Sequence, residues 1–200
     1  MSERSGAPHG GTGWAVNQFL KVETKVYNGD DLHAELPPWG GQAKWFEANR
    51  IIEHLIGLHR PELEKAVFLA RGIQVQLLSV FPLIDDLCAS TCPWCPDPCC
   101  MIAKVWIDFQ DLLFLHLSGQ VIPRAQLLQE LGNTCRYWSP RGCTLTRIVR
   151  PWICTWYSCP PQMTNLRKQH PVVQKTFNQT VQAIKTARKQ MEAEFIRVVA

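Results

Sequence analysis

The chain has no cysteine outside a single stretch, although it contains nine of them. Residues 1–87 and 160–200 carry none, and all nine lie between Cys88 and Cys159. An odd number of cysteines cannot form a complete set of disulfides, so a disulfide framework is disfavoured. The stretch 88–159 is therefore where we expect the chemistry of this protein.

Membrane and export signals are also missing from the sequence. Residues 1–13 are polar and rich in Gly, Ser and Pro, which predicts a disordered N-terminus without a signal peptide. No unbroken run of about 18 apolar residues occurs, so no transmembrane helix and no membrane partner are predicted. These absences predict a cytoplasmic protein, and cytoplasmic thiols are kept reduced.

Strong charge and the common catalytic motifs are absent as well. The net charge of +4 is mild, and a nucleic-acid partner is not expected from it. The sequence contains no phosphate-binding Gly loop, and no Ser/His/Asp arrangement can be argued from spacing. Catalytic residues are therefore unknown, and whether the protein is an enzyme stays open.

The apolar spacing predicts a mainly α domain over residues 14–200, since helical periods recur and no βαβ alternation is present. Its helices would pack around an irregular, cysteine-rich metal-binding core at 88–160, and a long helix would end the chain. The predicted helices cover about 43–59, Pro61 to about Pro82, the stretch from an Asp108 cap to Gly119, 123–131 before Gly132, and Pro171 to the C-terminus. Loops are predicted at 88–100, and residues 135–161 are predicted to be irregular.

The cysteines fall into two groups with different spacing. Cys92-Pro-Trp-Cys95 is followed closely by Cys99 and Cys100, and a Cys-x₂-Cys pair can place two sulfurs on one metal. Three prolines stiffen this segment, so less entropy is lost when a metal orders it. The second group is wider and consists of Cys135, Cys143, Cys154 and Cys159.

These residues resemble the YkgJ-type cysteine-cluster family, which is described as a zinc- or iron-chelating domain and has flagellin lysine methylase among its relatives. The resemblance spans about residues 88–160, and its most specific part is the second group with Gly142-Cys143 and Arg150-Pro151. It implies metal binding by eight cysteines and a cofactor-binding role for Arg150. The eight are Cys92, Cys95, Cys99, Cys100, Cys135, Cys143, Cys154 and Cys159.

The sequence departs from that family at two points. Pro96-Asp97-Pro98 separates the Cys-x₂-Cys pair from the Cys-Cys pair, where the family has two residues and the first is a Gly. A Gly there can turn its N–H towards sulfur, whereas Pro96 has no N–H to offer. Cys88 is an extra thiol, either a substitute for one of the eight or a small buried residue.

Several alternatives stay open on the sequence alone. Eight thiolates are too many for one zinc, so the cysteines hold either two four-sulfur zinc sites or one iron–sulfur cluster with spare thiols. Five tryptophans in the region either shield the centre or fill a core. Cys88-x₃-Cys92-x₂-Cys95 matches the spacing of radical S-adenosylmethionine enzymes, and Cys92-Pro-Trp-Cys95 matches a redox dithiol. Arg150 either donates to a cluster sulfur or pairs with a carboxylate such as Asp108 or Asp111.

Three functions follow from these alternatives. The first is a metal-binding protein with a redox or electron-transfer role, and the second is an enzyme that uses the centre, as the methylase relative suggests. The third is a structural zinc module that binds another protein through the basic C-terminal segment. Thr164–Ala200 carries seven Lys or Arg and two acidic residues, although such a segment also suits an ordinary solvated face.

Overall fold

The computed structural model describes residues 39–102, 104–130 and 132–200. The expected disorder of residues 1–13, and most of the segment that follows it, lie outside the described residues. Residues 39–199 belong to one compact unit. As predicted, this unit is mainly helical.

Seven α-helices occur in the part of the chain that the structure describes. They are α1 (Gln42–Leu58), α2 (Glu64–Thr91), α3 (Cys99–Ile102), α4 (Phe109–Leu117), α5 (Ile153–Trp156), α6 (Pro160–Arg167) and α7 (Pro171–Val199). Cys92–Trp94 and Arg147–Val149 form 3₁₀ turns. A two-stranded antiparallel hairpin joins β1 (Trp138–Ser139) to β2 (Gly142–Cys143).

Helix α4 is the centre of the hydrophobic core. Seven of its nine residues are buried, which is the pattern of a helix surrounded by others. Helix α1 packs on it with Trp45, whose indole N–H donates to Pro123 O at 3.0 Å. Phe109 meets Phe195 of α7 edge to face, with ring centroids 6.0 Å apart. The core is therefore built by helices, and the cysteines do not form it.

Helix α2 is longer than the sequence predicts. The prediction that it ends near Pro82 was wrong, because the helix continues through that residue to Thr91. Pro82 has no N–H group, so the carbonyl of Leu78 lacks its usual helical donor. Pro82 is exposed and Leu78 is 53% exposed, so water can donate to that carbonyl instead. Consequently Cys88 lies on a helix and not in a loop.

Helix α4 begins where the sequence predicts. The Asp108 carboxylate accepts from Asp111 N at 2.7 Å, and the Asp111 carboxylate accepts from Asp108 N at 3.1 Å. This reciprocal capping satisfies N–H groups that the first turn leaves free. Gly119, with φ of 70°, follows the helix in the left-handed conformation that glycine adopts without strain.

Two other local predictions were wrong. The stretch 123–130 contains bends and no helix. The Tyr137 hydroxyl accepts from Ala125 N and donates to Ala125 O, so these backbone groups are not available for helical hydrogen bonds. Residues 135–161 are more regular than expected, because they hold the hairpin, a 3₁₀ turn and α5. Gly142 has φ of 105°, which explains why this hairpin turn carries a glycine.

A buried ion-pair network joins α4, α7 and the residues before α5. Arg188 of α7 donates to Asp111 Oδ1 at 2.7 Å and to Asp108 Oδ1 at 3.0 Å. The same Asp111 oxygen accepts from Trp152 N at 2.9 Å, and the guanidinium lies 5.9 Å from the Trp152 ring centroid. Burial raises the pKa of Asp111 to about 7, and the Arg188 guanidinium acts in the opposite direction. The network fixes the position of Trp152, which directly precedes the helix that carries Cys154.

One helical stretch, Glu64–Trp94, is long and apolar enough to cross a membrane by length and composition, with a mean hydropathy of 1.7. The stretch contains no unbroken run of about 18 apolar residues, which is why the sequence predicts no transmembrane helix. A third of its most apolar window is buried, including Ile73 and Leu77. Core helices of soluble proteins have the same length and composition.

We expect Arg188→Met to lower the free energy of unfolding by about 3–5 kcal/mol, since it leaves the buried Asp111 without its ionic partner. Urea unfolding measures the loss. Lys185→Met, at an exposed position of the same helix, is the matched control and should stay within about 0.5 kcal/mol. Equal losses in the two variants would contradict the role of the ion pair.

Candidate metal centre

The two cysteine groups meet in space. Cys135 N donates to Cys100 O at 2.9 Å, which joins the first residue of the second group to the last residue of the first. The hairpin that follows Cys135 is held by Thr144 N, which donates to Tyr137 O at 2.8 Å. Backbone hydrogen bonds therefore bring distant parts of the sequence to one place.

Most of the thiols lie close enough for their charges to shift one another's pKa. Cys100 is affected by Cys99, Cys135 and Cys154, and Cys99 is affected by Cys88. The thiols that share such effects are Cys88, Cys92, Cys99, Cys100, Cys135, Cys143 and Cys154. We call these residues the thiol cluster. It includes Cys88, which the family resemblance leaves out.

Within the thiol cluster, two pairs share hydrogen bonds. A hydrogen bond from the Cys92 thiol lowers the pKa of Cys88 to about 6. Burial acts to raise that pKa, and Arg147 acts to lower it further. The same hydrogen bond raises the pKa of Cys92. The bond from Cys100 lowers the pKa of Cys99 to about 6 and raises that of Cys100. Each pair therefore holds one proton between two sulfurs near neutral pH.

Two other thiols of the cluster, Cys135 and Cys154, are held protonated. Burial raises the pKa of Cys154 to about 12, and the negative charge of Asp111 acts in the same direction. Burial also raises the pKa of Cys135, which is 9% exposed. Cys154 thus lies near the carboxylate that anchors Trp152, so the ion-pair network and the thiol cluster adjoin.

Gln162 of α6 connects Cys159 with the thiols of α2. Its Oε1 accepts from Cys159 N at 3.2 Å, and its Nε2 lies 3.4 Å from Cys88 Sγ and 3.8 Å from Cys92 Sγ. Nothing in the sequence around Gln162 indicates this contact, because an isolated Gln at a helix start is an ordinary capping residue. Cys95 is exposed.

These residues have the donor atoms that a metal site needs, but their sulfurs are not arranged around a single point. Nine free thiols are soft donors that suit zinc or iron. Across residues 39–102, 104–130 and 132–200, however, no three His, Cys, Asp or Glu side chains converge closely enough to hold an ion. As whole residues, four of the cysteines are exposed, namely Cys92, Cys95, Cys99 and Cys154, although surrounding protein atoms desolvate the Cys154 thiol. The cluster thus lies at the edge of the helical core, contrary to the prediction that the helices surround it.

Arg150 does not contact a sulfur. Its Nε donates to Leu145 O at 3.0 Å, and the ion pair with Asp108 or Asp111 that the sequence allows is made by Arg188 instead. Arg147 takes the expected place beside a thiol: its Nη2 lies 3.7 Å from Cys88 Sγ. The charge of Arg150 nevertheless lowers the pKa of Cys88 together with that of Arg147.

A small enclosed cavity of about 10 Å³ lies beside these arginines. Arg147, Arg150, Arg188 and Asp111 line it. Arg147 Nη1 is buried and has no hydrogen-bond partner among the described residues. A space of this size admits about one water molecule, which would satisfy that N–H group.

Two further expectations concern side chains around the thiol cluster. Trp94 is 84% exposed, so it neither shields the cluster nor fills a core, and Trp156 is 42% exposed. His116 bonds through Nε2 to Asn49 Oδ1 at 2.9 Å, and burial lowers its pKa. His116 is therefore a structural histidine of the α1–α4 contact, the reading that the sequence favours.

Comparison with known proteins finds no match to this chain among family models, curated proteins or solved structures.

The metal-free protein should show uneven thiol reactivity, because only a thiolate attacks an alkylating reagent. We expect Cys88 and Cys99 to react with iodoacetamide at pH 7 well before Cys154, and the Cys88 rate to reach half its maximum near pH 6. Peptide mass spectrometry after brief labelling measures each rate. A common midpoint near the ordinary thiol pKa for all sites would contradict the pairing of thiols.

Proposed function

We propose that the protein is a cysteine-ligated metal-binding protein of the YkgJ type, with an iron–sulfur cluster as its centre and zinc as the alternative. The observation that carries this proposal is the bond between Cys135 N and Cys100 O, which joins two cysteine groups that are separate in the sequence. All nine cysteines are free, and the charges of Cys135 and Cys154 from the second group reach Cys100 of the first. Gathered free thiols of this number are typical of metal sites.

The ligands are drawn from the eight family-like cysteines. Cys92, Cys95, Cys99 and Cys100 would come from the first group, and Cys135, Cys143, Cys154 and Cys159 from the second. Arg150 would act through its positive charge beside the thiolates, since its N–H groups are directed to the Leu145 carbonyl. The exposed loop 95–98 is the part that has to close for further sulfurs to converge.

When bound, an iron–sulfur cluster would supply one-electron transfer or redox sensing, whereas zinc would only stabilise the fold. In either case the metal would hold 88–100 and 135–159 together, so binding would be part of folding. The chain itself would bring the thiols of both groups near one another. The charges of Arg147 and Arg150 favour loss of the Cys88 proton and offset the negative charge of the thiolate. A reduced thiol pool fits the proposed cytoplasmic location.

A second function has an observation in its favour. Trp94, within the first cysteine group, and Ile102, just after it, are 84% and 67% exposed, and exposed apolar side chains of this size mark protein contacts. This favours a metal module that binds another protein. The C-terminal helix supports that role less, because Arg188 is buried and Arg197 pairs with Glu194 at 2.6 Å. The cavity beside Arg150 has room for about one water molecule, so it does not supply the substrate pocket that a methylase-like enzyme needs.

Purification without oxygen, followed by an absorption spectrum and assays of iron, sulfide and zinc per chain, tests the proposal. Stoichiometric iron and sulfide in a brown protein would establish the cluster. A colourless protein with stoichiometric zinc would establish the alternative. Metal-free protein with every thiol free or paired, even after reconstitution with either metal, would overturn the proposal.

Participation of both cysteine groups is a separate prediction. We expect Cys95→Ser and Cys154→Ser each to lose bound metal, because each removes a ligand from one of the two groups. Ser158→Ala, between α5 and Cys159 and without a thiol, is the control and should retain the wild-type metal content. Loss in only one of the two cysteine variants would show that the groups do not share a site.

A further inference from the structure

Cys88 and Cys92 lie side by side at the end of α2. Cys92 N donates to Cys88 O, and Cys92 keeps helical backbone angles of −66° and −36°. Residues four apart on a helix lie on the same face, one turn from each other. The two thiols therefore point in one direction although the regular helix ends between them.

A single amide nitrogen confirms how close the two sulfurs are. Gln162 Nε2 lies 3.4 Å from Cys88 Sγ and 3.8 Å from Cys92 Sγ, within hydrogen-bond range of each. Gln162 is 8% exposed and belongs to α6, so a neighbouring helix supplies this donor from a fixed position. An amide N–H aimed at sulfur favours the thiolate over the thiol.

A guanidinium reaches Cys88 from the other side of the site. Arg147 Nη2 lies 3.7 Å from Cys88 Sγ, and Asp85, three residues before Cys88 on α2, holds the same side chain through Nε at 2.5 Å. The Arg147 side chain is only 10% exposed and its charge lies 5.9 Å from the Phe81 ring centroid. Cys88 thus receives two N–H donors on one sulfur, and such donors accompany metal-bound thiolates.

We propose that Cys88 is a metal ligand that acts with Cys92, and that Arg147 and Gln162 are positioning residues which hold its sulfur toward the metal. This inference rests on the proposed metal-binding function and extends its ligand set by one residue. It also gives the positioning role to Arg147, where the family resemblance suggests Arg150. Helix α2 would then present two sulfurs from a rigid element, while loops supply the others.

Titration of the reduced protein with cobalt(II), followed by competition with zinc(II), tests this ligand. For Cys88→Ser we expect zinc affinity to fall at least about 100-fold, beyond the effect of most outer residues. The cobalt–thiolate charge-transfer absorption should fall as well, because one sulfur has left the metal. Circular dichroism of the metal-free variant establishes that its helices are intact.

Arg147→Gln is the test of the positioning role. It should weaken zinc binding by about 10–100-fold while the charge-transfer intensity at saturation stays that of the wild type, since no sulfur is lost. Arg141→Gln, at an exposed arginine of the hairpin turn, is the matched control and should bind as the wild type does. Wild-type affinity in Arg147→Gln would overturn the positioning role.

Labelling of the wild type decides the ligand role even where the Cys88→Ser variant does not fold. Iodoacetamide should alkylate Cys88 in the metal-free protein and at least about tenfold more slowly once zinc is bound, because a metal-bound thiolate is protected. Equal Cys88 labelling in both states, or unchanged affinity and absorption in a folded Cys88→Ser, would overturn this inference and leave the proposed function standing. Failure of the wild type to bind either metal would instead overturn the proposed function.

Discussion

The buried carboxylate of Asp111 is the constraint on which the site depends. It closes the first turn of α4, pairs with Arg188 of α7 at 2.7 Å and accepts from Trp152 N at 2.9 Å. A buried charge that has one partner removed is costly, so these three elements keep a fixed relation to one another. Trp152 immediately precedes α5, which carries Cys154. The helical core thereby sets the position of Cys154, one member of the second cysteine group.

The thiol cluster is attached to this core from several sides and is not enclosed by it. Helix α2 brings Cys88 and Cys92, a backbone bond brings Cys135 to Cys100, and Gln162 of α6 reaches over the first pair. Protonated or half-protonated thiols at an exposed edge have little to hold them together. A bound metal would replace shared protons with metal–sulfur bonds and order the loops that carry them. The absence of three converging ligands among the described residues fits an arrangement of pairs.

The sequence predicted the elements whose signals are local. Apolar spacing located α1 and α7, and Asp108 was a recognisable cap, because each depends on nearby residues. The end of α2 was missed because Pro82 is a strong helix breaker unless its missing hydrogen bond falls on an exposed side, which only the tertiary structure decides. Arg147 and Gln162 were missed for the same reason: nothing in their own neighbourhoods shows that they face Cys88. The four-residue spacing of Cys88 and Cys92 is a signal in the sequence that they lie together. It places two side chains on one face only if the segment is helical.

The central claim is that cysteine sulfurs of this chain bind a metal centre. X-ray absorption spectroscopy of the protein, purified without oxygen, measures it most directly, since the fine structure gives the number and distance of the sulfur neighbours. The account predicts about four sulfurs at about 2.3 Å from zinc or from each iron, with no shell of lighter atoms in their place. A metal surrounded by nitrogen and oxygen, or with fewer than three sulfurs, would contradict it.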